Sequence, residues 1–325
     1  MRNKREFSLE INPPINQFFL YGYEKYFRNF INLFNKGILP NSIMITGQKG
    51  IGKSTFVYHF ANYLFSRKEE KKYSVDNFCI NSESKSYNLI NKGIHPNFYL
   101  LESAKANEDI KIDQIRDLLK FLNKSTYAHD LKVILIDSTE NLNKNSSNAL
   151  LKKIEEPDNN TFFFFVHNNF NIVLETIKSR CIQFKIHFNK KDKEKIFENI
   201  LNQYSFNFNE LIEDDNFYYD TPGNLVKYLL TLKTLNIKSS DNLLNNILLL
   251  LKICESEKNN ETFSYVLFLV EKLYKNLCIK NNLNSQYYFL NYQKIINHIN
   301  NYRKFNLSKK NTLSFLNNIL KNEKQ

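Results

Sequence analysis

The chain has 325 residues, more than one hydrophobic core usually organises, so two or three domains are expected. Hydrophobic residues make up 42%, which excludes a disordered chain; the longest apolar run, Leu243 to Ile253, is broken by Asn245, Asn246 and Lys252 and is too short to span a bilayer. The formal net charge of +12 suits a polyanionic partner such as nucleic acid, but the basic residues are scattered among acidic ones, and abundant Lys, Asn, Ile, Phe and Tyr are what AT-biased coding produces.

Met1 to Glu10 lacks the apolar stretch of a secretory signal, so a soluble, cytoplasmic protein with no membrane partner is expected. The four cysteines, Cys79, Cys181, Cys254 and Cys278, show no C-x-x-C spacing. They read as free thiols rather than a zinc or redox site.

Three regions follow one another. In the first, to about Phe188, helical patterns alternate with short apolar runs. Tyr23 to Asn35 is predicted helical, Ser42 to Thr46 a buried strand, and Thr55 to Phe65 a helix. Phe98 to Leu101 is a second strand, and Ile112, Ile115, Leu118, Leu119 and Leu122 form a helical stripe. Asn81 to His95 reads as a plain insertion. Val133 to Ile136 is a strand, Ser147 to Glu156 a helix stopped by Pro157, and Phe162 to Val166 and Cys181 to Ile186 are strands. Strands apolar throughout and alternating with helices predict a parallel sheet covered on both faces. The second region, Asn189 to Thr234, is short and polar, with a turn at Thr221-Pro222-Gly223. The third, from Leu235, has helical apolar spacing and neither Gly nor Pro, as long packed helices require.

Gly47-Gln48-Lys49-Gly50-Ile51-Gly52-Lys53-Ser54 matches G-x-x-x-x-G-K-[ST] between a predicted strand and helix. Glycines let backbone N–H groups curl around phosphate oxygens, and the helix that follows turns its positive end toward the anion. Lys53 can reach the phosphates and Ser54 a Mg²⁺ ion, with Thr55 next in the first turn. Val133-Ile134-Leu135-Ile136-Asp137 supplies the apolar strand ending in Asp that completes such a site. ATP or ADP with Mg²⁺ is the cofactor these residues predict.

Several segments, in order, resemble the AAA+ clamp-loader subunits of bacterial DNA polymerase III. They are Leu39-Pro40-Asn41-Ser42-Ile43-Met44-Ile45-Thr46-Gly47, Ile112-Asp113-Gln114-Ile115-Arg116, Asn148-Ala149-Leu150-Leu151-Lys152-Lys153-Ile154-Glu155-Glu156-Pro157 and Thr176-Ile177-Lys178-Ser179-Arg180-Cys181. The resemblance covers the first region almost end to end and the helical third only in kind. It implies an α/β P-loop AAA+ domain with a parallel sheet and flanking helices over 1–188. It also implies a small helical lid domain over 189–234 and an all-α C-terminal collar domain over 235–325. Arg180 would be a finger in trans for a neighbour's ATP. His167 or Asn168 would be the polar sensor at a strand end.

The implied partners are gamma/tau motor subunits, the delta subunit, the sliding clamp indirectly, and primer-template DNA. Three departures separate the chain from the motor subunits. Ser138 follows Asp137 where hydrolysing AAA+ proteins usually place Glu, and Glu140 is expected to point elsewhere. Only Cys79 lies where motors often carry four zinc-binding cysteines, and Asp220-Thr221-Pro222-Gly223-Asn224-Leu225 has no lid arginine. These losses resemble the delta-prime branch, a weak or silent ATPase. The alternatives are a gamma/tau-type ATPase motor and, from another class, a P-loop kinase. The kinase would need arginines in lid and acceptor positions and no Ser179-Arg180-Cys181.

Overall fold

The computed structural model describes residues 12–103, 108–124, 131–158, 160–168, 173–203, 221–234, 243–256, 261–305 and 307–323. They divide into two compact units: Ile11–Ile200 with Thr221–Gly223, and a second that contains Asn224–Gln325.

In the first unit the elements run α1 (Glu24–Asn35), β1 (Ser42–Gly47), α2 (Lys53–Ser66), α3 (Lys85–Asn91), β2 (Phe98–Leu101), α4 (Ile112–Leu122), β3 (Lys132–Ile136), α5 (Lys144–Glu155), β4 (Thr161–Asn168), α6 (Glu175–Lys178), β5 (Ile182–Lys185) and α7 (Lys190–Gln203). The five strands form one sheet in the order β2-β3-β4-β1-β5, every pair parallel. This is the parallel α/β sheet, covered by helices on both faces, that the alternating pattern predicts.

Side-chain alternation explains why strands with no polar stripe are stable. In β4, Phe162, Phe164 and Val166 pack into one apolar cluster, with Ile43, Ile45, Val133 and Leu135. Phe163 and Phe165 enter the cluster on the other face, with Met44, Ile134 and Ile136. Successive side chains of a strand point to opposite faces, so a run of four Phe is buried only where helices cover both. Helix α2 lies against the first face with Phe56, Val57, Phe60, Ala61, Leu64 and Phe65 buried.

Two sequence expectations change. The stretch Asn81 to His95 is no plain insertion: it contains α3, whose N-cap Ser84 accepts a hydrogen bond from Tyr87 N. Thr221-Pro222-Gly223 is no turn between strands or helices but the start of α8 (Pro222–Thr234). Proline at the first helical position is favoured because its missing N–H has no helical partner to lose.

The second unit carries α9 (Leu243–Ser256), α10 (Glu261–Lys280), α11 (Ser285–Phe305) and α12 (Lys309–Asn322). Helix α9 packs on α10 and α12, and α11 on α10 and α12, which closes a four-helix arrangement. Ile247, Leu250, Val266, Val270, Ile295, Ile299, Leu313 and Leu316 are buried in it. Among the described residues no helix is long and apolar enough to cross a membrane.

Candidate functional site

The register of the sheet gathers the predicted residues. Gly47 at the end of β1 pairs with Asn168 at the end of β4. Asp137 follows β3 on the other side of β4, its N–H bonded to Leu101 O at 2.9 Å. Such carboxyl-end crevices, where the connections diverge, are where parallel sheets bind ligands.

Two left-handed glycines and a set of internal hydrogen bonds shape the loop from Gly47 to Gly52. Gly50 and Gly52 adopt φ of 81° and 95°, a region open to glycine at no steric cost. Every carbonyl along the loop meets a donor. Lys53 Nζ donates to Gly47 O (2.9 Å) and Gln48 O (2.8 Å), and Thr221 Oγ1 to Lys49 O (2.8 Å). Gly223 N donates to Gly50 O (3.1 Å), Tyr23 Oη to Ile51 O (3.0 Å) and Phe56 N to Gly52 O (3.0 Å). A loop whose carbonyls are engaged in this way leaves its amide N–H groups to form an anion-binding nest at the head of α2.

Lys53 is buried, and burial lowers its pKa to about 8, with Glu140 and Asp137 acting in the opposite direction. Ser54 Oγ donates to Asp137 Oδ2 at 2.8 Å, which puts the two oxygens side by side as a cation of a nucleotide complex requires. Burial raises the Asp137 pKa, an effect that the Ser54 hydroxyl and the Lys53 charge oppose. Thr55 sits half-buried in the first turn of α2. The donor set of glycine-rich backbone, one ammonium, one hydroxyl and one carboxylate therefore fits a Mg²⁺–nucleotide phosphate group.

Of the two sensor positions, Asn168 is the one at the loop: its Oδ1 accepts from Lys53 Nζ at 2.9 Å. Asn168 has the strand parity of Phe164 and Val166, the face covered by α2, whereas His167 has the parity of Phe163 and Phe165.

The expectation for Glu140 is corrected. Its Oε1 accepts from Asn168 Nδ2 at 2.5 Å, so it points into the site rather than elsewhere. Ser138 adopts the left-handed conformation (φ 59°, ψ 61°) and reverses the chain after Asp137. Thr139 Oγ1 then anchors the turn to Val166 O at 2.9 Å. No local pattern announces this, because the anchor belongs to another strand. Thr221, Gly223 and Tyr23 were likewise missed as loop supports; Pro222 at a helix start was the only signal for the first two.

Arg180 stands apart from this cluster, in the turn after α6. Its Nε donates to Glu155 Oε1 at 2.5 Å, its Nη2 pairs with the same carboxylate, and its Nη1 donates to Thr176 O at 2.9 Å. The side chain is 32% exposed. Glu155 closes α5, so the Asn148–Pro157 and Ser179-Arg180-Cys181 segments meet through this ion pair. Among the described residues no group of three or more His, Cys, Asp or Glu is placed to hold a metal ion. The four cysteines form no disulfide.

A family model described as "DNA polymerase III, delta subunit" matches residues 22–190, just over half of the chain. The chain is 34% identical to the DNA polymerase III subunit delta' of Pseudomonas aeruginosa over 143 residues, 44% of this chain and 42% of that protein. It is 28% identical to the DNA polymerase III subunit gamma of Buchnera aphidicola subsp. Schizaphis graminum over 180 residues, 55% of this chain and 47% of that protein. The matched stretches thus span a little under half the length of these curated relatives. Among solved structures, a gamma subunit-related protein of Thermotoga maritima aligns with a TM-score of 0.45 and 15% identity, over 90% of this chain and 97% of that one. On this match, which takes in every strand of the sheet, the chain belongs to the DNA polymerase III, delta subunit family.

Proposed function

We propose that the chain is a clamp-loader subunit of delta-prime type, which binds nucleotide at its own phosphate loop and lends Arg180 to the ATP site of a neighbouring motor subunit. Such a subunit supports ATP-dependent loading of the sliding clamp, with gamma/tau and delta subunits and primer-template DNA as partners. The observation that carries the reading is the setting of Arg180. Its guanidinium is neither buried in its own core nor loose, but held at the surface by Glu155 and Thr176 O. A half-exposed ion pair contributes only about 0–1 kcal/mol, so exchanging Glu155 for a phosphate oxygen costs little. Arginine's planar fork suits that exchange.

In its own site, Lys53 and the loop amides would hold phosphate oxygens, Ser54 and Asp137 would hold Mg²⁺, and Asn168 would stand at the far end of the phosphates. The bound nucleotide would supply the charge that orders these groups. Exposed Ile279, Leu283, Tyr287 and Leu290, at the end of α10 and the start of α11, support an assembly role for the C-terminal helices.

The test is reconstitution of the loader with Arg180→Ala. DNA-stimulated ATP turnover should fall by about tenfold or more, since a trans arginine is worth ~10³ or more in the best-studied systems. Assembly, followed by gel filtration, should be unchanged. Undiminished turnover would refute the finger.

One observation favours a second reading, an ATPase of gamma type: the Glu140 carboxylate reaches Asn168 beside Lys53. Robust turnover by the isolated chain would support it.

A further inference from the structure

We infer that Glu140 sets how well this site recognises a terminal phosphate, by holding the Asn168 amide so that its N–H donors are withheld from the phosphate. The inference rests on the nucleotide-binding reading above and deepens it.

The carboxylate is delivered by a built feature. The left-handed Ser138 reverses the chain, and the Thr139 hydroxyl fixes the turn to β4 through Val166 O. On its other side, Asn141 O accepts from Ile110 N at 2.8 Å and Asn141 Nδ2 donates to Ser103 Oγ at 3.2 Å. Glu140 is thereby aimed at the end of β4, where Asn168 also meets Lys53.

The orientation of Asn168 follows from its two neighbours. A carboxylate only accepts and an ammonium only donates, so the amide must give its NH₂ to Glu140 (2.5 Å) and its oxygen to Lys53 (2.9 Å). The opposite orientation would set oxygen against oxygen and NH₂ against ammonium. A terminal phosphate accepts hydrogen bonds and carries negative charge. In the observed network it would meet the amide oxygen instead of its NH₂, and a second carboxylate besides Asp137. Both effects penalise the phosphate that distinguishes a nucleoside triphosphate from a diphosphate. Glu140 is thus a positioning residue that acts through Asn168.

The experiment measures Mg-ATP and Mg-ADP affinities of the full chain by titration calorimetry, for wild type, Glu140→Ala, Glu140→Gln and the double variant Glu140→Ala/Asn168→Ala. In Glu140→Ala the amide keeps only its Lys53 contact, which a phosphate can take over, and the affinity for ATP relative to ADP should rise about tenfold, the value of one charge-assisted hydrogen bond. Glu140→Gln keeps an acceptor for Asn168 but loses the charge, so a smaller rise is expected; it also serves should the alanine variant fail to fold. Removing Asn168 in the alanine background should return most of the gain, which a merely structural role for Glu140 would not predict. An ATP to ADP ratio that stays put or falls would overturn the inference, as would a gain that survives without Asn168. Lost turnover at an unchanged ratio would overturn it too and would make Glu140 a catalytic carboxylate. Should the wild-type chain bind neither nucleotide, the nucleotide-binding reading fails and takes this inference with it. Should it bind both while the ratio stays unmoved in every variant, only the inference fails.

Discussion

Gly223 donates its backbone N–H to the carbonyl of Gly50 at 3.1 Å, and a Cβ at position 223 would lie 2.5 Å from that oxygen. Together with the Thr221 hydroxyl on Lys49 O, this contact braces the phosphate loop from outside. Gly223→Ala should therefore strain rigid backbone rather than a side chain that can swing away. A loss of about 1–3 kcal/mol of unfolding free energy is expected, together with weaker ADP binding. Chemical denaturation and calorimetry measure the two effects; unchanged values in both would show that the loop does not depend on this contact.

Glu69 organises the segment that follows α2. Its carboxylate accepts from Ser84 Oγ (2.9 Å), Lys85 N (2.9 Å), Ser86 N (3.0 Å) and Ser86 Oγ. These donors stand at the start of α3, where backbone N–H groups lack helical partners and a negative charge is favoured. Glu69→Ala should lower stability by about 1.5–3 kcal/mol, the range for hydrogen bonds to a charged group. Glu69→Gln should lose less. Equal stability of all three proteins in urea would refute the assignment.

Lys132 does the converse at the other end of a helix. Its buried ammonium donates to the carbonyls of Leu122 (2.7 Å) and Phe121 (3.4 Å) and to that of Lys124, at the C-terminus of α4. Burial lowers its pKa, yet a cation there meets carbonyls that no helical N–H can reach. Lys132→Met keeps most of the stem but removes the donor, and should destabilise the fold by about 1–3 kcal/mol. Amide hydrogen exchange should rise in α4; a variant as protected as the wild type would contradict the cap.

His59 gives the fold a pH dependence of defined sign. Its Nε2 lies 2.9 Å from Gln17 O and its Nδ1 2.9 Å from Tyr73 Oη, so Nε2 carries the proton and Nδ1 accepts. Burial lowers its pKa to about 3. An unfolded chain has the ordinary histidine value of about 6.5, so between the two the unfolded state binds a proton that the folded state refuses. The stabilising contribution is whole above about pH 6.5 and declines as pH falls, by about 2 kcal/mol at pH 5. His59→Gln should be less stable at neutral pH but show a flatter decline, which denaturation at pH 7.5 and pH 5 compares. Parallel slopes would remove His59 as the cause.

The phosphate loop, the Asp137 strand and most element positions were legible in the chain because each depends on neighbours in sequence. Glycines at the sharp turns, an apolar run before them and a helical stripe after them suffice to place Gly47–Ser54 between β1 and α2. The Thr-Pro-Gly segment was misjudged because the same three residues suit a turn or a helix start. What separates the two is the seat of Thr221 and Gly223 on loop carbonyls some 170 positions earlier, a contact no local pattern records.

The choice between His167 and Asn168 needed only a parity, but the parity has meaning once α2 is known to cover the face shared by Phe164 and Val166. Glu140 is the plainest case. Local chemistry gave the chain a phosphate-loop motif and no carboxylate directly after Asp137, and that much follows from residue types and spacing. That a carboxylate nonetheless enters the site follows from a left-handed serine and a threonine hydroxyl bonded to a strand 27 positions away. Side-chain direction after a strand is set by the neighbours it packs on, and those neighbours are adjacent only in the folded chain.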